Sequence, residues 1–370
     1  TSSKIPTTTS STGIGSFFGN ILNTVKNWVS GNIPKTTQQT YSAGDVLSNG
    51  GVVVNGGTVT TRVDIRGNSV TTYSDGFSYE LNGTTYDLTG VTDTFNAKQQ
   101  IINRTVSDVS TGEVLKTTNY EYSQEGDLVN QSTTYVSDNI DVIDAEGNNT
   151  GYKWVAGSTV NTDAEGNTTY GDNTGIYRTG EYTDGDKNLG NYKETTMFNR
   201  DGSTTTTVEG TYNGERFNSS YTDTVREDET TKEKIVTRTY EGAVLGDGNI
   251  PVGAMWNEGT SVVIKGNEET WSEGSGYYVV HGEGETFEYE GQTYTWIAGT
   301  KEVMLFDNTG KVDPEKIQYS SDTGEAGYYI EGEYKDGEKD LGHYTETTIF
   351  NTDGSTTTTV EGTYNGERFN

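Results

Sequence analysis

The sequence predicts an all-β protein made of tandem β-meander modules, sandwich-like or solenoid, with one short amphipathic helix near its N-terminus. Three observations predict it. A 39-residue block occurs twice, at 180–218 and 332–370, with 32 of its positions identical. Asn-Gly and Asp-Gly pairs punctuate runs of Thr, Val and Tyr, the pattern of strands joined by tight turns. Glycine is abundant, at 48 of 370 residues, while proline is rare, at four.

Within the block, Asn199–Gly202 and Asn351–Gly354 have the composition of a three-residue hairpin turn with a bulge. A Thr/Val/Tyr strand over 203–212 follows, then Asn213-Gly214, a two-residue hairpin turn, and a further strand from Glu215. Gly and β-branched residues dominate, which excludes a helix here. Thr204, Thr205, Thr206 and Thr207 place hydroxyls on both faces of one strand, because side chains alternate. Burial therefore rests on Tyr182, Tyr192, Phe198, Val208, Tyr212 and Phe217, with aromatic and Thr cross-strand pairs supplying stability. That suits a thin sheet or sandwich.

Taken in order, the chain opens with a Ser/Thr-rich tether over 1–12. Residues 13–31 predict the helix. Ile14, Phe17, Phe18, Ile21, Leu22, Val25, Trp28 and Val29 recur at three- and four-residue steps and form one apolar stripe. Ser16 caps its start, and Gly31 and Pro34 stop it. So short a helix needs a surface to bury against. It either docks on its own β domain or inserts into a neighbouring subunit as an assembly helix. Lys26 is its one charge, so attraction to anionic lipid is poor.

Asn49-Gly50-Gly51 and Asn55-Gly56-Gly57 then sit between short Val-rich runs. This stretch resembles the SNGG/VNGG repeats of bacterial autotransporter adhesins, which implies a β-solenoid; two hairpin turns give the same string. Gly112–Leu128 resembles the YD repeat of large bacterial surface and toxin-shell proteins, with Ser123 and Asp127 departing from that pattern. A looser repeat links 77–90 with 287–299, and Tyr152–Gly157 with Tyr294–Gly299. Gly and Pro concentrate over 246–253, which marks a domain boundary. The expected domains are thus 1–39, 40–246 and 247–370. The second block stops at Asn370, where the first copy is still in mid-meander, and the chain starts at Thr1, so a longer repetitive polypeptide is expected.

Composition narrows the function. The net charge of −30 argues against nucleic acid and anionic membranes as partners and favours cations or plain solubility. With no cysteine there are no disulfides or thiolate metal sites. No apolar run is long enough to span a membrane as a helix. No signal peptide is visible, which fits a mature product or a signal outside this stretch of sequence.

Asp184, Asp186 and Asn188, repeated as Asp336, Glu338 and Asp340, set oxygen side chains at alternate positions, as calcium loops do. Leu189 and Leu341 stand where an EF-hand loop needs glycine, so an acidic hairpin turn explains the same string. Asp144–Asn148 and Asp163–Asn167 also read as turns. Of the two histidines, His343 aligns with Asn191 of the other block and is not required by it, and His281 has no evident partner set nearby. No nucleophile-elbow, zincin or P-loop motif is present. Carboxylates are so plentiful that no glycosidase pair stands out, and no enzyme is expected. Sequons at Asn82, Asn103, Asn130, Asn148, Asn167 and Asn218 permit glycosylation. Trp154 and Trp296, at equivalent positions of the looser repeat, either stack on sugars or pack in the core. The leading expectation is an extracellular structural protein that self-associates into a surface layer, filament or adhesin stalk. The second is an adhesin that binds glycans or a host surface, and the third a carbohydrate-active fragment.

Overall fold

The computed structural model describes residues 35–47, 49–144, 146–245, 250–251 and 253–370. The predicted helix and its apolar stripe lie outside them. The described residues form 31 strands and no helix. The registers are antiparallel throughout the first sheet and in the repeated block. This is the meander and sandwich form of the expectation, in place of the solenoid that the adhesin-like stretch implied: Val52–Asn55 leaves its sequence neighbours to pair antiparallel with Ser78–Leu81.

Two compact units are present, one comprising 1–178 and 195–201, the other 179–194 and 202–370. The Gly/Pro-rich stretch near 250 thus falls inside the second unit. In the first, nine strands from Lys35–Tyr41 to Thr168–Tyr170 lie side by side, nearly in sequence order. The chain leaves this sheet to build a small second layer from Val52–Asn55, Ser78–Leu81 and Thr84–Asp87. Val53, Phe77 and Tyr79 of that layer pack on Val59, Phe95 and Ile101 of the large sheet. A second core gathers Tyr135, Val142, Trp154 and Val160.

The second unit stacks a four-stranded sheet beside a six-stranded one that contains the second copy of the block. Each block builds the same aromatic cluster. Tyr182 meets Tyr192 at 5.1 Å and the edge of Tyr212 at 5.5 Å. Tyr334 meets Tyr344 at 5.0 Å and Tyr364 at 5.4 Å. The Asn-Gly turns adopt the left-handed backbone the sequence implies, with Asn213 at φ 49° and Asn365 at φ 51°. Threonine hydroxyls pair across strands, as expected: Thr61 with Thr71 at 3.0 Å, Thr118 with Thr133 at 2.9 Å, and Thr348 with Thr358 at 3.0 Å. These pairs allow a polar strand to be buried.

One device, partly hidden in the sequence, passes the chain from sheet to sheet. The string Trp-x-x-Gly-Ser/Thr occurs four times, at Trp154–Ser158, Trp256–Thr260, Trp271–Ser275 and Trp296–Thr300. Each copy turns sharply, with Gly157, Gly259, Gly274 and Gly299 at φ between 78° and 88°. The Ser or Thr that ends each turn is fully buried. In three copies its hydroxyl accepts the N–H of a glycine on another strand and donates to that glycine's carbonyl, while Ser275 makes the same two bonds with Ser261, both at 3.1 Å. The accepted bonds are 3.0 Å long for Ser158–Gly175, Thr260–Gly276 and Thr300–Gly327. The donated ones are 3.0, 2.9 and 3.2 Å. The hydroxyl thus gives a partner to the glycine N–H and adds a second bond to a carbonyl that also accepts the N–H of the residue after the tryptophan. We call this arrangement the hydroxyl latch.

Candidate functional site

The corner around Trp296 opens a cleft of about 800 Å³ within the second unit. One wall comes from the four-stranded sheet, through Glu302 on Thr300–Phe306 and Tyr319 on Val312–Ser321. The other comes from the six-stranded sheet, through Phe287, Tyr294, Tyr328 and Phe350. No lysine or arginine is among the described residues lining it.

His281 sits at the centre, just past Gly276–Val280. Its ring lies flat on Trp296, with centroids 4.1 Å apart and planes 4° from parallel. Nδ1 is 3.1 Å from Glu285 Oε2, and Nε2 is 3.3 Å from Glu302 Oε2. The imidazole therefore bridges two carboxylates. Tyr319 donates its hydroxyl to Glu302 Oε1 at 3.3 Å. Burial first, then the Glu302 charge, pushes the Tyr319 hydroxyl up to about 12, so it stays a donor. Phe287 packs on Trp296 at 4.5 Å, and Tyr328 presents its edge to Phe287, Tyr294 and Trp296.

His281 thus has a partner set that sequence reading missed. Glu285 lies only four residues on, but Glu302 is 21 residues away and reaches the ring through sheet pairing. The two carboxylates approach opposite ring nitrogens, so a single ion cannot be held by all three groups. Among the described residues no group of three or more His, Cys, Asp or Glu side chains is placed to hold a metal. Trp154 and Trp296 are 4% and 8% exposed, so their indoles pack in the interior, the second of the two roles the sequence allowed.

The carboxylates proposed for calcium fall at hairpin ends. Asp184 ends Gly175–Asp184, Asp186 stands in the turn with Gly185, and Asn188 lies in Lys187–Phe198. Asp336, Glu338 and Asp340 occupy the matching places of Gly327–Asp336, its turn and Lys339–Phe350. Asn188 Oδ1 accepts the Gly190 N–H at 2.7 Å, and Asp340 Oδ1 the Gly342 N–H at 2.8 Å. The other acidic turns close themselves likewise. Asp163 accepts the Asn167 N–H at 2.7 Å and its side-chain amide at 2.8 Å, and Asp144 does the same for Asn148. The Asn167 side chain holds the Asp163 carboxyl below the usual range, and the Asn148 backbone N–H does so for Asp144. Since the caps already close the turns, a chelator is expected to shift the melting temperature by less than about 2 °C, or less than about 1 kcal/mol for units of this size. A calcium-dependent rise beyond that in calorimetry restores the cation reading.

Set against known proteins, the chain matches no family model, and no curated protein matches it either. Fold and cleft define a class: an all-β, multi-sheet protein with a repeated corner and a carboxylate-and-aromatic cleft at one copy of it.

Proposed function

We propose that the chain is a structural, extracellular repeat protein that forms or decorates a cell-surface assembly, such as a filament, surface layer or adhesin stalk, through stacked modules and contacts between identical subunits. The observation that carries this reading is the hydroxyl latch. The same corner, with the same bond lengths, adds sheet after sheet, which is what a chain selected for length and stiffness needs. Edge strands such as Lys35–Tyr41, paired on one side within its sheet, offer backbone groups to a further copy. The acidity keeps free subunits apart in solution until specific contacts form.

The test is electron microscopy of the purified chain and of native material. Ordered polymers are expected, and removing residues 13–31 is expected to abolish them while the β modules keep their melting transition. A chain that stays monomeric at millimolar concentration sinks the proposal. The cleft favours one second reading, an adhesin module that captures glycans. Specific retention on a glycan array, with no polymer formed, decides for it.

A further inference from the structure

The three corners latched to a glycine provide an internal control on the cleft. At the first, the ring lying on the tryptophan is Tyr135, stacked on Trp154 at 4.3 Å. At the second it is Tyr240, 4.5 Å from Trp256. At the third it is His281. The equivalence is set by the backbone: Tyr240 and His281 each donate their N–H to the latch threonine's carbonyl at 2.9 Å. Gly157 and Gly299 donate theirs to the carbonyls of Tyr135 and His281 at 2.7 and 2.8 Å. Two residues past the latch stand Val160, 6% exposed, Val262, fully buried, and then Glu302. The residue whose carbonyl accepts the tryptophan N–H is Ile140 at the first corner and Glu285 at the third, both at 2.8 Å. The architecture is thus content with Tyr, Val and Ile, and the first corner forms an ordinary apolar core with them. Only the third replaces all three by His, Glu and Glu.

Ionisable groups placed where apolar ones suffice cost stability, and their retention points to a task. The chemistry of the task follows from the lining. Two carboxylates line the cleft beside aromatic rings, no lysine or arginine is among the described residues lining it, and the opening is of a size that takes a small molecule. Aromatic faces and carboxylates together suit a substituted ammonium group. The protein's charge of −30 concentrates such cations near it. We infer that the Trp296 cleft is a binding site for small organic cations bearing a substituted ammonium group, held by Glu302, Glu285 and the faces of Phe287 and Tyr294. It goes beyond the structural role and does not depend on it.

The experiment titrates the full chain with choline chloride and, separately, with 3,3-dimethylbutan-1-ol, which has the same shape without the charge. Sodium chloride holds ionic strength constant, and binding is read by tryptophan fluorescence and by aromatic proton shifts. Saturable binding of choline in the millimolar range is expected, at least about tenfold tighter than the alcohol. A variant carrying the first corner's residues, His281→Tyr with Glu285→Ile and Glu302→Val, is expected to fold, melt no lower than the parent and lose the response. Glu302→Gln, nearly isosteric, is expected to weaken choline about tenfold and keeps the test decisive should the triple variant misfold. No saturation by 100 mM choline, equal affinity for the alcohol, tighter binding of a neutral sugar such as glucose, or an undiminished response in Glu302→Gln each overturns the inference.

Discussion

Replacing Gly327 with alanine is expected to destabilise the second unit by about 3–4 kcal/mol, seen as a fall of about 8–12 °C in its melting transition. The cause is steric before it is conformational. A Cβ at this glycine would stand 2.1 Å from the Thr348 carbonyl oxygen, a backbone atom that cannot swing aside. Separating them drags Gly327 away from Thr300, so the latch opens as well. Gly276 has the same problem, with the Met304 carbonyl oxygen at 2.2 Å. At Gly175 the nearest atom is the Met197 sulfur at 2.5 Å, on a flexible side chain, and the Thr196 carbonyl oxygen is 2.8 Å away, so alanine there is expected to cost less. Thr300→Val separates the two contributions. It keeps the volume and removes the hydroxyl. The Gly327 carbonyl still receives the Ile297 N–H at 2.9 Å, so only the Gly327 N–H is orphaned. The expected loss is then about 1–3 kcal/mol, and Thr300→Ser restores most of it. Calorimetry on the three variants checks the order. A Gly327→Ala transition within about 1 kcal/mol of the parent would show that the latch is ornamental.

How much of this was legible beforehand depends on the range of the interaction. Asn213-Gly214 and the Thr runs act locally, so their turns and cross-strand pairs could be read directly from the string. The latch joins residues 16, 17 and 27 apart in sequence, and no local rule gives that separation. Its signature was present four times, but Trp154, Trp256, Trp271 and Trp296 are unevenly spaced, so a search at fixed period finds only the pair inside the looser repeat. The acidic turns stayed ambiguous for another reason. A calcium loop and a self-capped hairpin both place oxygens at alternate positions, and composition alone does not separate them. His281 looked isolated because one of its two partners arrives on another strand. The described residues likewise place the second core and the cleft at equivalent corners, although their sequences have diverged from Tyr, Ile and Val to His, Glu and Glu.

The other large effect is expected at Asp93, in the first unit. Its side chain is fully buried, and both oxygens are used: Arg104 Nε lies 2.6 Å from one and Nη2 2.7 Å from the other, while the Tyr73 hydroxyl donates at 2.9 Å. Asp93 and Arg104 face each other directly across neighbouring strands. Burial, with the Asp93 charge next, raises the Tyr73 hydroxyl well above its ordinary range, and hydrogen bonding to Asp93 keeps the Arg104 guanidinium charged despite its burial. Asp93→Ala strands that cation in the interior and is expected to cost about 3–5 kcal/mol. The double replacement Asp93→Ala with Arg104→Met removes the charge together with its partner and is expected to recover most of the loss, because a buried pair adds little net stability over apolar groups. The second unit carries the same cross-strand pair, Asp223 with Arg238, bonded at 2.7 and 2.8 Å. There the guanidinium lies over the Tyr221 ring at 4.0 Å and stays 29% exposed. Water therefore solvates Arg238 when its partner is removed, and Asp223→Ala is expected to cost only about 1 kcal/mol. Urea denaturation of the three variants and the parent measures the contrast. Equal losses at Asp93 and Asp223 would mean that burial does not set the cost, and that the Tyr73 hydroxyl, absent from the second pair, contributes nothing to the first.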